Sequence, residues 1–178
     1  IFVRREGRTD MFEKNITLIG MPGCGKSTVG VVLAKMLCKT FIDSDLVIQH
    51  NEKKRLHKII EEIGNEGFLK LENRTLATLC VHNSVIATGG SAVFGKEAME
   101  HLKKCSTVVY IKVSYESLEK RLGSLKQRGV VFEEGQTLRD IYEQRIPLYE
   151  KYADITVESD NDADVLQAAL KIAEHFDL

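Results

Sequence analysis

No apolar run in this 178-residue chain approaches the roughly 18 residues that a helix needs to cross a bilayer. The chain therefore reads as soluble, with no membrane partner. It has no C-x-x-C pair: Cys24, Cys38, Cys80 and Cys105 stand far apart, and none of the five histidines joins them at ligand spacing. That argues against structural zinc and a disulfide frame, and free thiols point to the cytoplasm. An excess of one charge is also missing. With 25 Lys and Arg against 26 Asp and Glu, the formal net charge is −1, without the basic surplus of a nucleic-acid-binding surface. There is no internal repeat and no low-complexity segment. Residues 1–10 lack the apolar core of a signal peptide and begin without Met. They read as a leader, a remnant of expression or the end of an upstream segment, and residues 11–178 as one domain.

Against these absences stands Gly20-Met21-Pro22-Gly23-Cys24-Gly25-Lys26-Ser27-Thr28, which fits G-x-x-x-x-G-K-[ST] without a mismatch. In such a loop the glycines let successive backbone N–H groups turn inward on an anion, and the following helix adds the positive end of its dipole. Lys26 is placed to reach the β- and γ-phosphates of a nucleotide, and Ser27 to ligate Mg²⁺. The context fits. Asn15 to Ile19 reads as a strand, and Val29, Val32, Leu33, Met36 and Leu37 recur at helical spacing.

Further along, Thr40-Phe41-Ile42 predicts a short strand ending at Asp43-Ser44-Asp45. Helical patterns then run to Gly64 and again from about Glu66 to His82. Val85 to Thr88 is a strand closing on Gly89-Gly90-Ser91. Ala98 to Lys103 is helical, and Thr107 to Val113 is the clearest strand of the chain. Ser114 can cap the helix after it. Residues 123–136 lose all periodicity and read as a mobile flap. A helix from Leu138 follows, which Pro147 is expected to bend or end near Ile146. Asp154 to Val157 makes a last strand, and Val165 to Ala173 a closing amphipathic helix. Five strands alternating with helices predict an α/β fold with a parallel sheet covered on both faces and ligands at the strands' carboxyl ends.

Three polar clusters begin where strands stop. Asp43 is the candidate to hold the metal through water. Asp45 is the candidate to orient or deprotonate a substrate hydroxyl, and both also suit a helix N-cap. Gly89 and Gly90 permit close approach to a ligand, with free N–H groups as donors. Arg128, in the flap, could close over a transferring phosphoryl group and neutralise its charge.

Taken together, these residues resemble the shikimate kinase family of small P-loop enzymes, over about Ile16 to Phe176. The resemblance implies a P-loop kinase three-layer sandwich with a lid, a monomer, Mg²⁺ and ATP as cofactors, and a small hydroxy-acid or polyol acceptor in aromatic amino acid biosynthesis. It assigns Gly20 to Thr28 to ATP, Asp43 and Asp45 to the family's D-x-D pair, and Gly89-Gly90-Ser91 to its glycine motif. Arg128 aligns with its lid arginine and Arg121 with its adenine-stacking arginine. In Arg145-Ile146-Pro147-Leu148-Tyr149 the arginine corresponds to the one that grips the substrate carboxylate.

The chain also departs from that pattern. Gly64-Asn65-Glu66-Gly67-Phe68-Leu69 stands where the family has G-E-x-x-F-R, with Asn65 for the acidic residue and Leu69 for the arginine that is the second grip on the carboxylate, so Leu69 offers an apolar wall where a cation is expected. Ser91 stands for a third glycine, and Arg128-Gly129 for Arg-Pro. Losing one charge-assisted bidentate contact costs about 1.5–3 kcal/mol of acceptor binding. The acceptor is therefore expected to be shikimate at weakened affinity or a related small hydroxy acid. A P-loop kinase for another small metabolite and a nucleotide-binding regulatory module without kinase activity are the alternatives.

Overall fold

The computed structural model describes residues 14–122, 135–160 and 165–176. Its centre is β1 (Asn15–Ile19), whose five residues are all buried. Parallel neighbours β3 (Ser84–Ala87) and β4 (Ser106–Lys112) flank it, pairing Thr17 with Ile86 and with Val108. Beyond them lie β2 (Thr40–Asp43) on one side and β5 (Ile155–Glu158) on the other, giving the order β2-β3-β1-β4-β5. Val108, Val109, Tyr110 and Ile111 are wholly buried, as a continuous apolar run in a sheet covered on both faces requires.

Seven α-helices join the strands among the described residues: α1 (Lys26–Met36), α2 (Ser44–Glu52), α3 (Leu56–Ala77), α4 (Lys96–Cys105), α5 (Tyr115–Leu122), α6 (Leu138–Tyr152) and α7 (Val165–Ala173). Packing of α1 on α7, and of α3 on α4, builds the two layers around the sheet. A second, smaller cluster of Ile48, Ile59 and Phe68 ties α2 to α3.

Each expected strand is present within one residue of its predicted bounds. The break at Gly64 is real: its φ of 70° and ψ of 174° interrupt α3, which otherwise runs from Leu56 to Ala77. That helix stops at Ala77 rather than His82, where the Thr78 hydroxyl donates back to the Arg74 carbonyl (2.9 Å).

Pro147 does not end α6, which continues five residues beyond it to Tyr152. The carbonyl that a proline leaves without its helical donor is that of Glu143, and both residues are exposed, so water can satisfy it. Ile141, Arg145 and Tyr149, buried on one stripe, hold both halves of the helix against the core. The predicted flap falls almost entirely at residues 123–134, outside the described residues, and Arg128 with it.

Candidate active site

β1, β2 and β3 deliver their following segments to one rim, and a cavity of about 390 Å³ opens there. The loop residues Gly25, Lys26 and Ser27 form one part of its lining, and Asp45, Gly90 and Arg145, from later segments, form another, with Gly90 close against Pro22 of the loop. Leu56 and Phe68 form an apolar wall.

In the first part Gly25 is the N-cap of α1, with φ of 96°, a left-handed conformation that glycine adopts without steric cost. No side chain caps this helix, which leaves its first amides for an anion. Lys26 is largely buried, and its ammonium donates to the carbonyls of Gly20 (2.8 Å) and Met21 (3.0 Å). It spans the loop from which a phosphate would draw it. The side chains of Met21 and Cys24 belong to the core, so these two residues offer the loop their backbone. Pro22, Gly23 and Thr28 complete this part of the lining.

Asp43 caps α2, as its place before the helical run predicts. Its Oδ1 accepts from the backbone N–H groups of Asp45 (3.0 Å) and Leu46 (3.3 Å), capping α2, while Oδ2 accepts from the Ser27 hydroxyl (2.8 Å). A hydroxyl and a carboxylate oxygen side by side next to a phosphate loop are the hard oxygen donors that Mg²⁺ takes.

In the second part Asp45 occupies the first turn of α2. Burial, reinforced by the nearby Asp43 carboxylate and opposed by Lys26, raises its pKa to about 6. Gly89 is tightly confined: a Cβ there would run into Glu72 Oε1 and lie 3.0 Å from Asp45 Oδ1, so a larger residue would have to displace the Glu72 carboxyl. Its N–H, expected to be free for a ligand, instead donates to the Ser44 hydroxyl (3.1 Å). The start of α2 thus consumes it, because Ser44, its first residue, directly follows Asp43 at the β2 terminus.

Arg145 is 2 % exposed, with its guanidinium carbon 5.4 Å from the centroid of the Phe94 ring. One helical turn on, Tyr149 stacks on Tyr110 at 5.2 Å and donates its hydroxyl to the Gly90 carbonyl (2.6 Å). The Arg-x-x-x-Tyr spacing therefore fixes the arginine and the glycine turn from one face of α6.

Two expected residues lie elsewhere. Leu69 packs beside Leu56, Ile60 and Leu71 in the cluster of Ile48, Ile59 and Phe68, and Phe68 takes the wall position instead. Arg121 donates to the Ser159 carbonyl (3.2 Å) and is not among the cavity's lining residues.

One residue was not anticipated. Glu72 is 1 % exposed; its Oε2 accepts from the Ser91 hydroxyl (2.6 Å), while Oε1 has no hydrogen-bond partner among the described residues. Burial raises its pKa to about 7 despite that bond, and the Asp45 carboxylate adds to the rise. The available signal was spacing: Phe68, Glu72 and Leu76 form an i, i+4, i+8 stripe, and all three are buried.

A family model described as shikimate kinase matches residues 22–176. A shikimate kinase of Pasteurella multocida is 37 % identical over 152 residues, covering 83 % of this chain and 87 % of that protein. One of Nitrosospira multiformis is 39 % identical over 148 residues, covering 82 % and 76 %. Among solved structures, shikimate kinase from Acinetobacter baumannii in complex with shikimate superposes with a TM-score of 0.81 at 34 % identity, covering 91 % of this chain and 92 % of that one. Shikimate kinase from Aquifex aeolicus gives 0.77 at 31 % identity, covering 90 % and 94 %.

Proposed function

The chain belongs to the shikimate kinase family and is an ATP-dependent phosphotransferase of that kind, and we propose that its cavity binds Mg-ATP at Gly25–Ser27 and a small hydroxy acid at Asp45 and Arg145. One observation carries this reading. A single cavity is lined by a phosphate loop, by a carboxylate, Asp45, whose pKa burial raises, and by a buried guanidinium, Arg145.

Ser27 and Asp43 would hold Mg²⁺, which supplies charge neutralisation for the β- and γ-phosphates when bound. The Lys26 ammonium leaves its two loop carbonyls for phosphate oxygens, a charge-assisted exchange that favours the ligand. Arg145 holds the acceptor's carboxylate, and its planar fork fixes the orientation of the ring or chain. Asp45 accepts a hydrogen bond from the acceptor hydroxyl. As that oxygen bonds to the γ-phosphorus and the bond to the β-bridging oxygen breaks, the hydroxyl proton passes to Asp45 and ADP leaves. With its pKa raised to about 6, Asp45 is still mainly ionised at neutral pH and is a better base than an exposed aspartate. Leu56 and Phe68 exclude water from the acceptor's apolar face. Arg121 and Arg128 are proposed for the adenine and the lid on the resemblance alone.

The test is ADP release by the purified protein with Mg-ATP and shikimate, and with other small hydroxy acids and polyols in parallel. Turnover with at least one of them, lost by roughly 10²–10⁴-fold in Asp45→Asn, is expected. ATP binding without transfer to any acceptor would favour a regulatory module.

A further inference from the structure

Two departures from the family pattern meet on one side chain. Leu69 stands where an arginine is expected, and Ser91 where a third glycine is expected. Residues 69 and 72 are three apart on the regular part of α3, so a cation at position 69 would project beside the carboxyl of Glu72. Here that neighbour is apolar. Ser91 instead gives Glu72 its hydrogen bond, at 2.6 Å, and Ser91 itself lines the cavity.

Glu72 has a second cation within electrostatic reach, Arg145, whose charge acts on it. A buried carboxylate without a hydrogen-bond partner would be drawn to that guanidinium, and the acceptor's carboxylate would then compete with Glu72 for it. The Ser91 bond resists this. It holds Oε2 at the Gly89–Ser91 turn, while Oε1 rests against Gly89.

On the reading of this part of the cavity as the acceptor pocket, we propose that Ser91 is a positioning residue that does for Glu72 what a cation at position 69 would do beside it: it keeps Glu72 at the glycine turn, so that the Glu72 carboxyl does not compete with the acceptor for Arg145. The two departures are then one coupled change. The family pattern pairs a charged residue at 69 with a residue at 91 that has no side chain, and this chain pairs an apolar residue at 69 with a hydroxyl at 91.

A double-mutant cycle between the two positions tests this, using wild type, Leu69→Arg, Ser91→Gly and the double variant, with shikimate as acceptor. In wild type, Ser91→Gly should raise KM for shikimate roughly tenfold, with little change in kcat or in KM for ATP. In the Leu69→Arg background the same change should be nearly silent, because the arginine now engages Glu72. Ser91→Ala, which removes the hydroxyl without loosening the backbone, should repeat both results. An equal rise in KM in both backgrounds, or no rise in wild type, would overturn the proposal. If no variant phosphorylates shikimate, the assignment of that acceptor fails. The pairing is then decided by melting temperature alone: a loss from Ser91→Ala in wild type but not in Leu69→Arg supports it, and equal losses refute it.

Discussion

The helix that opens the donor half of the site and two of the three that carry its acceptor half begin in opposite ways; the third, α3, has no side-chain cap. α1 starts at Gly25 with no side-chain cap, whereas α2 starts at Asp43 and α6 at Thr137, each with a side chain accepting from first-turn amides. An uncapped N-terminus leaves donors for a phosphate, and a capped one fixes the direction of the side chains that follow. The donor half is thus built from backbone and a single ammonium. The acceptor half is built from side chains held by other side chains: Asp45 behind a cap, Arg145 a turn before Tyr149, and Glu72 on Ser91. Backbone recognition tolerates no substitution of type but needs little support. Side-chain recognition can be retuned, and here positions 69 and 91 depart from the family pattern in the acceptor half.

The largest effect should come from breaking the donor half. Lys26→Met removes the one cation among the described residues of the loop and should lower kcat roughly 10²–10³-fold. KM for the acceptor should change less than kcat, since the acceptor's carboxylate is assigned to Arg145 rather than to Lys26. Steady-state ADP release checks this. A variant that keeps near-normal kcat would remove the distinction between the two halves.

Next in size is the pH dependence of stability contributed by Glu72. Its folded pKa lies near 7, above an ordinary value of 4.5, because burial disfavours the carboxylate. The protonated form is the one that the fold accommodates, so this contribution is complete below about pH 4.5 and is lost as pH rises through 7. The loss is up to about 3 kcal/mol. Glu72→Gln lacks the titration, so its stability relative to wild type should climb between pH 4.5 and 7 in urea unfolding. A constant difference over that window would place the carboxyl in a wetter setting than the structure shows.

Much of this was legible in the sequence. The loop's spacing, the β-branched run at Thr107 to Val113 and the glycine at 64 each carry a strong local rule, and each is realised. What stayed hidden depends on how elements are turned relative to one another. Leu69 was expected as a wall, but on α3 beyond its break at Gly64 it is Phe68, a member of the cluster with Ile48 and Ile59, that also lines the cavity, while Leu69 packs against that cluster without lining it. Glu72 looks in sequence like its exposed neighbours Glu62 and Glu66, and only its place in the buried stripe separates it from them. Pro147 was expected to disturb a helix that continues past it, since whether the orphaned carbonyl meets water is a tertiary fact.

A smaller effect, confined to the acceptor half, is expected from Arg145→Lys. The ammonium keeps the charge but loses the planar fork, so acceptor KM should rise roughly tenfold, or about 1.4 kcal/mol, while KM for ATP stays put. If ATP affinity fell equally, Arg145 would belong to both halves and the division would need redrawing.

The smallest effect tests whether capping supports acceptor recognition at all. In the capping box of α6 the Thr137 hydroxyl accepts from the Asp140 N–H (3.2 Å), and the Asp140 carboxylate accepts from the Thr137 N–H (2.8 Å). Thr137→Ala removes half of that box, at a cost of about 1 kcal/mol. Thermal unfolding should show this as a fall of about 2–4 °C in Tm. The box lies two turns before Arg145, and Ile141, Arg145 and Tyr149 remain buried without it. The frayed first turn should therefore leave acceptor KM unchanged at temperatures well below Tm. A rise in acceptor KM at constant kcat would instead mean that the cap sets the pitch of the stripe bearing Arg145, and that the acceptor half depends on supports further from the ligand than any in the donor half.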